Sequence, residues 1–275
     1  MPSAASPPPR ATYTHGYDRS VLAAHRWRTA ENSAGYLLPF LAPGQRLLDL
    51  GCGVGTLTAD LSARVAPGPV VALDLAAEVL AEAQRSIADA AGTGPVAFAL
   101  ADGLRLPFPD DSFDVVHAHQ VLQHVADPVA VLAELRRVCR PGGLVAARDS
   151  DYLVELCSPA DPRLARWRDL YVAVARRNGG EPAAGRYLVT WAERAGFGEI
   201  RASVSTWAFV TPEERRWWGE TRAERTLASD LARHARAGGL AEPTELEDLA
   251  QAWRDWAHAP AGWCQLTHGE ILCRP

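Results

Sequence analysis

Short apolar runs recur at 46–50, 70–74, 96–100, 113–118 and 144–148. Between them lie stretches with apolar residues at helical spacing, at 56–65, 77–91 and 128–139. A strand buried on both faces reads as a continuous apolar run, so the alternation predicts an α/β fold with a mostly parallel sheet covered by helices on both sides. Asp127 followed by Pro128 is an N-cap and first-turn pair for the helix at 128. Beyond about residue 150 the pattern changes. Asp161–Pro162 opens a helix with the stripe Leu164, Trp167, Tyr171 and Val174. Thr211 with Glu214, and Thr244 with Glu247, read as capping boxes of two later helices. Strand-like stretches at 200–210 and 263–272 bracket that pair, so the second half adds two strands to the same sheet with a helical insertion between them.

Composition narrows the chemistry. The 275 residues suffice for one large domain with additions. Residues 1–12, with three consecutive prolines, read as a disordered tail and 13–275 as the domain, with its core at 45–150 and helical recognition elements at 155–185 and 211–262. The net charge of −5 gives no case for nucleic acid. All 28 basic residues other than histidine are arginine, which excludes a phosphate-loop lysine, a Schiff-base lysine and a Ser–Lys dyad. No apolar run is long enough for a membrane span and the start lacks a signal-peptide pattern, so a cytoplasmic address is expected. The five cysteines are odd in number and none forms a C-x-x-C pair, so five reduced thiols and no metal site are expected. Eight of the nine tryptophans lie beyond residue 160. They serve either as helix packing or as the aromatic wall of an apolar pocket, which leaves room for a homodimer as well.

The most informative segment is LLDLGCGVGT at 47–56: a buried strand, an acid near its end, glycines at 51, 53 and 55, then a helix. Glycines there permit a sharp turn and let a ligand touch bare backbone. The dinucleotide fingerprint G-x-G-x-x-G requires a small third residue where this chain has Thr56. Asp49 would also repel a pyrophosphate, whereas it suits a cationic ligand such as S-adenosylmethionine. Asp74 ends the second strand, where a carboxylate can accept both ribose hydroxyls. Asp102, in the loop after the third strand, can accept the adenine amino group.

Taken together, the loop, Asp74, the run DGLRLPFPDDSFDVV at 102–116 and LRRVCRPGG at 135–143 resemble class I S-adenosylmethionine-dependent methyltransferases, in particular the ubiquinone/menaquinone C-methyltransferase-like small-molecule enzymes. Weaker similarity extends over HRWRTA at 25–30, NGG at 178–180 and GRYL at 185–188. The resemblance implies a Rossmann-like seven-stranded sheet with its last strand antiparallel. It also implies methyl transfer from S-adenosylmethionine, leaving S-adenosylhomocysteine, to a small organic acceptor by in-line displacement. By position, Asp49, Gly51 and Gly53 would meet the methionine part, and Asp74 and Leu75 the ribose. Ala101, Asp102 and Gly103 would meet the adenine, and His119 and Gln120 the methyl-donor end. Arg28 and Thr29 would close over the cofactor, with Arg28 on its carboxylate. The Asp/Asn-Pro-Pro-aromatic motif of base- and glutamine-directed enzymes is replaced by AHQVL at 118–122, which favours a small, aromatic or apolar acceptor. Where the acceptor carries a proton, His124, Asp149, Asp151 and Tyr152 are candidates to take or orient it. Arg186 is a candidate anion contact. Two alternatives remain open at this level: a repurposed cofactor-binding protein without turnover, and an NAD-dependent oxidoreductase.

Overall fold

The structure is a computed structural model that describes residues 11–275. Residues 1–10 of the expected tail lie outside the described residues; of the remaining two, Thr12 N donates to Asn178 O at 2.9 Å. The five early apolar runs form β1 (Leu47–Leu50), β2 (Val70–Asp74), β3 (Val96–Leu100), β4 (Phe113–His119) and β5 (Cys139–Ser158). The late pair are β6 (Glu199–Phe209) and β7 (Trp263–Arg274). They make one seven-stranded sheet in the order β3-β2-β1-β4-β5-β7-β6. β1 pairs in parallel with both β2 and β4, and all four of its residues are buried, as a central strand between helical layers requires. β7 runs antiparallel to both β5 and β6, closing the sheet as the resemblance implied.

The sheet departs from the expected pattern in β5, which spans 20 residues where 144–148 were expected. Its second half gains antiparallel hydrogen bonds from β7, interrupted by a register shift between Asp151 and Leu156. Cross-strand partners share a face. Arg148 and Ser150 therefore lie on the same face as Glu270 and His268, and Asp149 and Asp151 on the opposite one. Two thiols are not free as expected: Cys157 and Cys264, paired across β5 and β7, form a disulfide. Their distance in sequence hid a pairing that only the sheet register creates. Cys52, Cys139 and Cys273 are reduced and buried.

The helices of the core are α3 (Thr56–Val65), α4 (Ala77–Ala88) and α5 (Pro128–Val138), the last capped by Asp127 Oδ1 on Ala130 N. Before the sheet come α1 (Arg19–Arg26) and α2 (Ala30–Ser33). After β5 come α6 (Pro162–Arg177), α7 (Leu188–Arg194), α8 (Pro212–Ala228), α9 (Asp230–Ala237) and α10 (Pro243–Ala257). The Thr211/Glu214 capping box of α8 forms, with both reciprocal bonds present. The expected box at Thr244 does not. α10 begins two residues earlier, with Pro243 in its first turn and Glu242 as N-cap, because proline's fixed φ fits that position and needs no donor.

α6, α8 and α10 pack against the second half of β5 and against β6 and β7 in their own apolar core. In the middle of that core is a charge. Arg222 on α8 is fully buried, and its Nη2 donates to Glu155 Oε1 at 2.5 Å. Its Cζ lies 4.4 Å from the ring centres of both Trp167 and Trp218, 5.2 Å from Trp253 and 5.4 Å from Tyr152. Ring faces are electron-rich and share the burden of the cation with Glu155. Burial holds the Glu155 carboxyl above its usual range, an effect opposed by Arg222. Most of the late tryptophans therefore serve packing.

Removing one member of a buried pair leaves the other uncompensated. Glu155→Gln should destabilise the protein by about 3–5 kcal/mol in urea denaturation, and the double variant Glu155→Leu/Arg222→Met should recover most of that loss. A Glu155→Gln protein as stable as the parent would show that the rings alone suffice.

Candidate functional site

At the carboxyl end of β1 the chain turns through Gly51, Gly53 and Gly55 before entering α3. Gly51 has φ +72°, and a Cβ there would lie 2.4 Å from Val121 Cγ2. Gly55 has φ +82° and sits against the backbone of Ala83 in α4, with 2.9 Å from its ideal Cβ position to Ala83 Cα. Side chains are excluded at both positions by conformation and by space. The turn is tied from two sides. Asp74 Oδ2 accepts from Gly53 N (3.1 Å), while its Oδ1 accepts from Leu75 N (2.7 Å) and Ala76 N (3.2 Å). Beneath the loop, buried Asp49 accepts from Thr58 Oγ1 (2.5 Å) and from His117 Nδ1 (2.8 Å). Asp49 thus acts from below the loop through α3 and β4.

The loop forms one wall of a cleft of about 900 Å³, including its part open to solvent. Leu50, Leu73, Val79, Ala101 and Gly103 supply apolar walls, and Asp74, Leu75 and Asp102 line one end. Asp102 Oδ1 also accepts from Leu104 N at 3.0 Å. Burial raises the Asp74 carboxyl above its ordinary value, with the three backbone donors opposing.

The opposite end is built from β4 and from the segment before α2. His119, Gln120 and His124 face Tyr13, Tyr17, His25 and Arg28. Gln120 has φ +54°, outside the usual range for a residue with a side chain. Its amide links three elements. Oε1 accepts from Arg28 Nη2 (2.6 Å), and Nε2 lies 2.8 Å from Ser150 Oγ and 3.0 Å from His268 Nε2. Arg28 Nε is buried without a partner, and burial lowers its guanidinium to about 10. Such a donor, aimed into the cleft and lacking an acceptor, fits a carboxylate on the ligand.

The imidazoles here are held neutral. Burial, then Arg28, lowers His124 to about 3. Burial drives His25 and His119 well below the usual imidazole range, with Arg28 again the next cause for each. Both ring nitrogens of His119 lack partners.

Eleven of the residues singled out from the sequence border this cleft: Arg28, Gly51, Gly53, Asp74, Leu75, Ala101, Asp102, Gly103, His119, Gln120 and His124. The others lie elsewhere. Thr29 Oγ1 caps α2 by accepting from Asn32 N. Asp149 is fully buried on the far face of β5, where it accepts from Leu122 N (3.3 Å) and Gln123 N (3.1 Å), fixing the turn that carries His124. Burial raises its carboxyl to about 7. Asp151 receives both Arg186 Nε (2.6 Å) and Nη2 (2.9 Å), so Arg186 is already paired. Tyr152 packs on Tyr171 with ring centres 4.2 Å apart. Sequence reading did not reach Tyr13, Tyr17 and His25, although the density of aromatic and histidine residues over 13–17 was a visible signal.

Three comparisons place this geometry. A methyltransferase-domain family profile matches residues 48–147. An uncharacterized methyltransferase of Schizosaccharomyces pombe is 33% identical over 270 residues, covering 94% of this chain and 95% of the relative. A demethylmenaquinone methyltransferase of Parafrankia sp. is 40% identical over 150 residues, half of this chain and 54% of that protein. Among solved structures, a putative methyltransferase from Bacillus halodurans shares the fold, with a TM-score of 0.55 at 19% identity over 87% of this chain and 97% of its own. With a glycine loop, a strand-end acid and an arginine whose Nε lacks a partner around one cleft, and a relative matched along nearly its whole length, the chain belongs to the class I S-adenosylmethionine-dependent methyltransferases.

Proposed function

We propose that this methyltransferase acts on a small, apolar or aromatic acceptor held between His119, His124 and the Tyr13–Tyr17 segment. The reading rests on the character of that end of the cleft, which is aromatic and lined by buried imidazoles held well below their usual pKa. Gly51, Gly53, Asp74, Leu75, Ala101 and Asp102 are assigned to the cofactor, and Arg28 to its carboxylate. When bound, S-adenosylmethionine supplies a methyl carbon activated by a sulfonium.

The remaining work falls to position and water exclusion, which at the upper limit can supply about 7–11 kcal/mol. Tyr13 and Tyr17 cover the cleft, and Tyr13 meets His124 edge to face with centres 4.8 Å apart. Gln123 Nε2 donates to His124 Nε2 at 3.0 Å, so the lone pair of the neutral ring is taken and His124 offers its Nδ1–H as a donor that orients an acceptor oxygen. Asp149 takes no part in this directly; it positions His124 through the turn at 122–124.

Three measurements follow. Asp74→Ala removes both the ligand contact and the tie on Gly53, and should weaken S-adenosylmethionine binding by about 10–150-fold in calorimetric titration. An unchanged constant would remove Asp74 from the cofactor site. With a panel of phenols, quinols and amines, release of S-adenosylhomocysteine should favour apolar aromatic acceptors. For the best hydroxyl acceptor, His124→Phe should lower kcat by about 10²-fold with cofactor affinity retained. Equal kcat would leave His124 a wall and nothing more.

The third concerns pH. His15, His25, His119, His124 and His268 are all depressed by burial in the folded state. The unfolded chain therefore binds more protons below about pH 6.5, and the stability present above that pH is lost as pH falls. Asp149, raised to about 7, acts in the opposite sense with a single proton. Denaturant midpoints should fall steeply from pH 7 to pH 5, with a net slope of several protons; a flat profile would mean that these imidazoles are hydrated.

A further inference from the structure

A side-chain amide has an accepting end and a donating end, so the groups on either side of it decide which way it points. Gln120 is held between such groups. On one side stands Arg28, whose guanidinium can only donate; Oε1 faces it and accepts from Nη2 at 2.6 Å. On the other side the two N–H bonds of Nε2 need acceptors, and the groups there are Ser150 Oγ at 2.8 Å and His268 Nε2 at 3.0 Å. A serine hydroxyl rotates to donate or to accept, so it does not select between the two senses of the amide. A ring nitrogen does. For Gln120 to donate to it, His268 Nε2 must carry the lone pair and the ring proton must sit on Nδ1.

The surroundings of His268 support that state. It lies on β7, opposite Ser150 in β5 and Ser205 in β6, and is wholly buried. Its ring packs against Trp207 with centres 4.4 Å apart, and Trp207 is fixed in turn by Nε1 on Asn32 O at 2.7 Å. Burial, then the charges of Arg148 and Arg28, holds the imidazole well below its usual range. His268 does not border the cleft, whereas Gln120 and Arg28 do. Its path into the site therefore runs through Gln120.

We infer that His268 is a positioning residue for the methyl donor: its Nε2 lone pair sets the sense of the Gln120 amide, and the amide holds Arg28 in line with the donor's carboxylate. This rests on the assignment of Arg28 made above. Where the ring offers no lone pair, one N–H of the amide is buried without an acceptor, which is destabilising. The reversed amide then becomes competitive, but it presents N–H to a guanidinium that can only donate. Arg28 loses its tie. Its Nε has no partner, and the bond to Gln120 is the one its guanidinium makes among the described residues, beside the Trp207 ring at 5.7 Å from Cζ.

The test titrates the full chain calorimetrically with S-adenosylhomocysteine and with its carboxamide analogue, nearly the same in shape but without the negative charge. The parent should prefer the acid. His268→Phe keeps a ring and removes the lone pair; it should weaken the acid by about tenfold and leave the carboxamide unchanged. His268→Gln, whose Oε1 can stand where Nε2 stood, should restore the preference. In a Gln120→Leu background, His268→Phe should change the preference no further. A measurement that needs no variant is the nitrogen NMR spectrum of the histidine-labelled parent at neutral pH, in which the His268 ring should show a bare Nε2 and a protonated Nδ1. The inference is overturned if His268→Phe weakens both ligands alike or neither, if His268→Gln behaves as His268→Phe does, or if Nε2 carries the proton. A parent that binds acid and carboxamide alike would instead overturn the assignment of Arg28, and the inference with it.

Discussion

The cleft depends on a carboxylate placed in the middle of a sheet. Asp49 sits in β1 between two parallel neighbours, where an acid must be fully hydrogen-bonded to be tolerated. Its two oxygens take the Thr58 hydroxyl of α3 and the His117 ring of β4. These bonds fasten the strand before the glycine loop to the helix after it and to the strand alongside. The strained turn between them therefore has little freedom, and its backbone is held open to a ligand. Asp74 completes the brace from β2 by accepting Gly53 N. A turn requiring positive φ at Gly51, Gly53 and Gly55 would otherwise relax toward a wider loop.

A second linkage joins the far end of the cleft to the rest. Gln120 stands at the tip of β4 in left-handed backbone and holds Arg28 with one amide atom and Ser150 with the other. Trp27, next to Arg28, packs edge-on against Trp207 and stacks on Trp217. The segment at 11–18 is anchored through Asn178 and through His15 O, which accepts from Asp230 N. The wall that Tyr13, Tyr17 and His25 give the cleft is thus tied to the second half of the chain. The sheet lies between.

What was legible in the sequence follows from how local each signal is. Strand, glycine loop and helix lie within ten residues at 47–56, and their chemistry can be read from spacing alone; the same holds for Asp74 and Asp102 at strand ends. Side-chain direction was harder. Asp149 and Asp151 do share a face, as a two-residue period requires, but it is the face opposite Arg148, Ser150 and the cleft, and only the pairing with β7 decides which. The Cys157–Cys264 bond and the Arg222–Glu155 pair join residues far apart in the chain, so no local pattern announces them.

The division of the walls between segments has an evolutionary consequence. The profile shared with other methyltransferases ends at residue 147 and begins at 48, whereas Tyr13, His25, Arg28, Trp207 and Arg222 all fall outside it. The cleft is therefore built from both: Tyr13, His25 and Arg28 come from outside the shared stretch, and the glycine loop, Asp74, His119 and His124 from within it. Drift in the outer stretches can reshape that part of the cleft while the glycine loop stays fixed, so agreement over the middle of the chain does not carry with it agreement along the rest of the walls.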